Sequence, residues 1–101
     1  MNGLFRDVFL GFVRVHILHH AAKESIYGVE MMEELAHHGY RLGPGTLYPI
    51  LHAMEKSGYL RSQHEVVDGK RRKYYRATTT GERALKELKK KIRELTDEVL
   101  A

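Results

Sequence analysis

Apolar positions in the first twenty residues recur at three- and four-residue steps. Phe5, Val8, Phe9, Phe12, Val15 and His19 share one face of a helix predicted over residues 4–20. Leu10, Val13 and Ile17 lie on the far side, so only a narrow strip with Arg6, Asp7 and Arg14 is polar, and the helix needs more than one packing partner. After a polar break at residues 23–25, Val29, Met32 and Ala36, flanked by Met31 and Leu35, predict a short second helix. It ends near His38, with Gly39 as its C′ residue. Leu47, Ile50, Leu51 and Met54 follow i, i+3, i+4, i+7 and predict a third helix, with Gly43 as N-cap, Pro44 at the first position and Gly58 as the stop. Pro49 falls inside it. There it removes the hydrogen bond to the Gly45 carbonyl and disfavours helical geometry at Tyr48, which costs roughly 3 kcal/mol in an ordinary helix interior.

Two segments rich in β-branched and aromatic residues then flank Asp68–Gly69, a dipeptide favoured in type I′ turns, and predict a β-hairpin. With Asp68 and Gly69 as the two loop residues, Val66 faces Arg71, Glu65 faces Arg72, His64 faces Lys73 and Ser62 faces Tyr75. Leu60, Val66, Tyr75 and Ala77 are expected on the inner face. Thr79 and Glu82 have the spacing of a capping box. Beyond them Leu85, Leu88, Ile92, Leu95 and Val99 alternate gaps of three and four, a heptad seam with Ile92 and Val99 at a and Leu88 and Leu95 at d. Glu82–Lys86 and Glu87–Lys91 can support this helix from outside.

A chain of 101 residues suits one domain with a modest core. Seventeen Lys and Arg against thirteen Asp and Glu give a net charge of +4, which is compatible with a polyanionic partner. The absence of cysteine removes disulfides, thiolate metal sites and Cys nucleophiles, and suits a reducing interior such as the cytoplasm. Arg6, Asp7 and Arg14 break the apolar start too early for a signal peptide or a membrane span, so a soluble protein is expected. Catalysis finds no footing. The GPG stretch has no phosphate-loop context, Ser25, Ser57 and Ser62 lack nucleophile elbows, and the acidic residues are mostly spaced as helix-surface partners.

Three helices followed directly by a hairpin with a basic tip have the order of a winged helix-turn-helix, whose third helix enters the major groove. IYGVEMMEELAHHGY, GTLYPILHAMEKSGYL and DGKRRKYYRATTTGERAL, taken in order, resemble the PadR family of transcriptional regulators over nearly the whole chain. The matching features are the GTLYP stretch with its apolar pair, the Tyr-Gly that opens helix two, the basic Tyr-Tyr wing and the Thr-x-x-Gly helix start. The family often has Ser or Asn where this chain has Gly43.

The single C-terminal helix is similar to that of the family's short subgroup, whose members dimerise through their first and last helices. The resemblance therefore implies a mainly α fold with a β-hairpin. Residues 1–78 would form a winged helix-turn-helix domain with helix one also in the dimer interface, and residues 79–101 a dimerisation helix. It implies a homodimeric repressor on an inverted-repeat operator. The DNA-facing set is Tyr27, Pro44, Gly45, Thr46, Tyr48, Pro49, His52, Lys56, Lys70, Arg71, Arg72 and Lys73. Lys70, Arg71 and Lys73 come first for phosphates, because Glu65 is expected to neutralise Arg72 in part. The dimer set is Phe5, Val8, Phe9, Phe12, Leu85, Leu88, Ile92, Leu95 and Val99.

His16, His19 and His20 span about a 100° arc of helix one and are candidate ligands for a divalent metal effector, with His37, His38, Glu24 or Glu30 to complete the site. Phe5, Phe9 and Phe12 are candidates to line a pocket for a small aromatic effector. The competing readings are a winged-helix interaction adaptor without DNA, a metal sensor built on the helix-one histidines, and a MarR-type regulator, against which the GTLYP stretch and the chain length argue. Lys86, Lys89, Lys90 and Lys91 read as a solvated face.

Overall fold

The computed structural model describes residues 2–101. In chain order it contains α1 (Gly3–Lys23), β1 (Ile26–Tyr27), α2 (Gly28–His37), α3 (Pro44–Lys56), β2 (Leu60–Val67), β3 (Lys70–Ala77) and α4 (Thr79–Val99). The Asn2 side chain caps α1 by accepting from the Phe5 N–H at 2.9 Å. α2 stops as its sequence requires: Tyr40 N–H donates to the Leu35 carbonyl at 2.8 Å and Gly39 N–H to that of Ala36 at 3.0 Å. α3 repeats this ending, with Tyr59 N–H on Met54 O at 2.9 Å and Gly58 N–H on Glu55 O at 3.0 Å.

β2 and β3 form the hairpin in the predicted register, Leu60 opposite Ala77 through Val67 opposite Lys70. Asp68 and Gly69 both have positive φ, 51° and 75°, as a type I′ turn demands. The sheet has a third strand that the pattern did not announce. β1 pairs antiparallel with β3, Ile26 opposite Tyr75 and Tyr27 opposite Tyr74, in the order β1-β3-β2. Two residues are too few to display a period, so only their neighbours reveal them.

One core joins all the layers. Val13, Ile17, Leu18 and Ala21 of α1 meet Met31 and Leu35 of α2, the apolar stripe of α3, Ile26, Leu60, Tyr75 and Ala77 of the sheet, and Leu85 of α4. α1 turns its Val13–Ile17 side inward and leaves its aromatic side outside. Two expectations are corrected. α2 buries Met31 and Leu35 while Val29 lies exposed. Val66 is 74% exposed, because the hairpin outruns the core it grows from.

The cap of α4 also moves by one residue. Thr78, not Thr79, accepts the Gly81 N–H at 3.0 Å, which puts Gly81 rather than Glu82 at the third helical position and leaves no capping box. The Thr78 hydroxyl also donates to the Gly58 carbonyl at 2.6 Å, and Thr78 N–H donates to that of Tyr59 at 3.1 Å. A Cβ on Gly81 would overlap the Tyr59 carbonyl. The start of α4 is thereby fastened to the end of α3, and α4 runs back against α1. Along its surface Glu87 pairs with Lys90 at 3.1 Å rather than with Lys91. Among the described residues no helix is long and apolar enough to cross a membrane.

Candidate nucleic-acid interface

α3 separates its faces cleanly. Leu47, Ile50, Leu51 and Met54 are buried, and on the opposite side Gly45, Pro49, His52 and Lys56 recur at steps of four, three and four, all exposed. Pro44 is exposed at the first position, as Gly43-Pro44 predicted, and Thr46 is half-buried at the flank. The helix runs unbroken through Pro49, whose ring faces outward and fills no part of the core. A Cβ on Gly45 would meet no other element. Tyr48 is half-buried: its ring lies against Gly28, where a Cβ would overlap it, and its centroid is 6.4 Å from that of His52. Tyr48 therefore joins the start of α2 to the outer face of α3.

The hairpin is held against α3 by a polar clamp. Glu55 accepts a hydrogen bond from the Ser62 hydroxyl and pairs with Lys73 Nζ at 3.3 Å. The Ser62 hydrogen bond, and then Lys73, hold the Glu55 carboxyl below its ordinary pKa against the opposing effect of burial. The Lys73 ammonium also lies 5.3 Å from the Tyr75 ring centroid, so it is engaged within the chain, while Lys70 and Arg71 extend from the tip. Arg72 faces Glu65 in the register, yet among the described residues no ion pair joins them. Its guanidinium lies over the Tyr27 ring at 4.6 Å, and that ring packs on Tyr74 at 5.5 Å. Glu65 thus gives no ground for discounting Arg72, while Lys73 and Arg72 are each engaged within the chain, with Glu55 and with Tyr27.

Between the hairpin and the start of α2 lies an open groove of about 380 Å³, lined by Tyr27, Gly28, Val29, Tyr48, Lys70, Arg71, Arg72 and Lys73. It joins the tyrosines and the basic run into one surface, and Tyr48 carries that surface to the edge of the exposed α3 face. Val29, named in the sequence only as a marker of the second helix, was missed here. Arg61 and Arg76, which oppose each other across the hairpin, line a separate hollow with Ser25 and Tyr74. Like charges directly opposite are unfavourable in a sheet, and the register read from Asp68–Gly69 already implied this pair.

A second surface is apolar. Phe5 is 59% exposed, and Val8 and Phe12 are exposed beside it. Phe9 is half-buried, with its ring 6.4 Å from Phe5 and 5.0 Å from Tyr40. On α4 the seam divides: Leu85 is closed inside the chain's own core, Leu88 is half-buried, and Ile92, Leu95 (51%) and Val99 (65%) stand in solvent.

The histidines regroup. His38, at the end of α2, joins His16 and His20, and their ring nitrogens lie within 4.8 Å of one another. His19 is outside this set, contrary to the expected grouping of His16, His19 and His20. Burial is the main cause that lowers the pKa of all three α1 histidines. For His16 the neighbouring His38 adds to the effect, and for His20 Glu34 opposes it.

Residues 17–87 match the family model of the transcriptional regulator PadR-like family. The chain is 52% identical over 88 residues to the transcriptional regulator Rv3488 of Mycobacterium tuberculosis, which covers 87% of this chain and 82% of that one. Among solved structures it resembles a PadR family transcriptional regulator from Eggerthella lenta, with a TM-score of 0.83 at 32% identity over 95% of this chain and 85% of that one. A PadR-like transcriptional regulator from Bacillus cereus superposes with a TM-score of 0.84 at 28% identity, covering 92% of each chain. The family and these relatives are transcriptional regulators, not enzymes.

Proposed function

Because this chain belongs to the PadR-like family of transcriptional regulators, we propose that it binds duplex DNA as a homodimer and represses transcription by occluding a promoter. One observation carries the reading: an exposed polar face on α3 adjoins a groove with four cations along one wall. α3 enters the major groove, where His52, Lys56 and the edge of Tyr48 meet base edges and Pro49 and Gly45 let the helix approach closely. Lys70 and Arg71 reach phosphates, an attraction independent of sequence and weakened by salt. Arg72 and Tyr27 form the wall behind them, and Lys73 acts mainly through Glu55 to fix the hairpin's angle.

Residues 1–78 are the reading unit and residues 79–101 the dimerisation arm. Phe5, Val8, Phe9 and Phe12 of one copy close against Leu88, Ile92, Leu95 and Val99 of the other, with Leu85 anchoring the arm at its root. Two reading heads at fixed separation fit an inverted repeat whose half-sites lie about one helical turn apart.

The test is DNA affinity against salt. Replacing Lys70 and Arg71 together by Ala should flatten the dependence of log K on log salt by about 0.9 for each lost phosphate contact. Replacing His52 by Ala should leave that slope intact and reduce discrimination between operator and unrelated duplex by about 1–3 kcal/mol. Unchanged slope and unchanged discrimination would remove DNA from the account.

A further inference from the structure

We propose that His16, His20, His38 and Glu34 form a binding site for one borderline transition-metal dication of the Zn²⁺ class, which clamps α1 to the end of α2. The site consists of two i, i+4 pairs that face each other across the helix contact: His16 and His20 on α1, Glu34 and His38 at the end of α2. The ring centroids are 4.9 Å apart for His16–His38, 5.9 Å for His20–His38 and 6.1 Å for His16–His20. One ligand nitrogen from each falls within 4.8 Å of the others. A tetrahedral ion with bonds of about 2.0–2.1 Å needs nitrogens roughly 3.4 Å apart, so rotations of these rings by about an ångström close the site.

Glu34 supplies the fourth donor. Its Oε1 lies 3.3 Å from His38 Nε2 and 3.7 Å from His20 Nε2. The second distance is too long for a hydrogen bond, and His20 Nε2 is buried without a hydrogen-bond partner among the described residues. A buried nitrogen left unpaired amid two further imidazoles and a carboxylate is what a metal would satisfy. The donor set selects the ion: three imidazoles and one carboxylate suit zinc, cobalt or nickel, and offer too few oxygens for calcium or magnesium.

The position gives binding a consequence. Tyr40, two residues beyond His38, packs on His16 at 5.0 Å and on Phe9 at 5.0 Å, and it begins the segment that leads into α3. Coordination therefore stiffens the joint between α1 and the segment that enters α3. The inference stands apart from DNA binding, since the site exists whether or not α3 meets a duplex.

The test uses tag-free full-length protein loaded with Co²⁺, read by its visible d–d absorption and by thermal unfolding with and without Zn²⁺. The expected result is one ion per chain, a tetrahedral-type spectrum and a raised Tm. H16Q, H20Q and H38Q should each weaken binding by at least ~100-fold, and E34Q by ~10-fold. H19Q and H37Q should bind as the parent does. Circular dichroism of each metal-free variant separates loss of the site from loss of the fold. No spectrum with the folded parent would overturn the site. So would affinity undiminished in a folded variant lacking His16 and His38, or affinity lost in H19Q or H37Q.

Discussion

At the scale of single residues, two positions show how local cost and function are balanced. Pro49 sits at the centre of the exposed face of α3, so its side chain contributes nothing to the core. An interior proline costs roughly 3 kcal/mol in a helix, offset by up to about 1 kcal/mol of lost freedom in the unfolded chain. Pro49→Ala is therefore expected to raise stability by about 2 kcal/mol in chemical denaturation while weakening operator binding. A variant that is less stable than the parent would mean that the ring has a packing role. Gly81 is the opposite case, since any side chain there meets the Tyr59 backbone. Gly81→Ala should destabilise by about 1–3 kcal/mol, seen as a lower denaturation midpoint, by forcing α4 away from the end of α3. The Thr-x-x-Gly start thus has a mechanical reason: Thr78 bonds to Gly58 and Gly81 makes room.

At the scale of elements, legibility followed the length of the pattern. The hairpin register was readable because Asp68–Gly69 fixes the loop, and every cross-strand partner then follows by counting. The stops of α2 and α3 were readable because Gly39 and Gly58 each close a helix through backbone bonds that need no distant partner. β1 was hidden because two residues carry no period. The inward side of α1 was ambiguous because apolar residues cover most of its circumference, and only the position of the sheet and α3 decides which side closes. Among the site residues, the α3 face and the basic tip were legible from spacing. The Glu55–Ser62–Lys73 clamp was not, because it joins segments that meet only after folding, and spacing offered His38 as one of several partners for the α1 histidines without singling it out over His19. α4 yields a prediction at this scale. Beyond Ile92, which borders Phe12 and Tyr40, the seam residues Leu95 and Val99 stand in solvent, so Leu95→Asp should leave helicity and monomer stability within about 0.5 kcal/mol. It should convert the proposed dimer to monomers in sedimentation equilibrium, and a parent and variant of equal mass would show that the seam has another purpose.

At the scale of the whole molecule, the two uncovered surfaces answer one another. One is apolar, formed by α1 and the outer part of α4; the other is polar and cationic, formed by α3 and the hairpin tip. In the proposed dimer, the same α1 that would offer Phe5, Val8 and Phe12 to a partner carries Val13 and Ile17 into the core shared with α3, so pairing two chains would fix the two α3 helices relative to each other. A single copy, with one helix and one wing, has little area for selecting among many sites. The most direct measurement is hydroxyl-radical footprinting of the wild-type protein on the duplex upstream of its own gene at low salt. The account predicts two protected half-sites related by a dyad, with centres one helical turn apart (~34–36 Å), both of which disappear in Leu95→Asp. Protection of one isolated half-site, of none, or of both by the Leu95→Asp protein would contradict it.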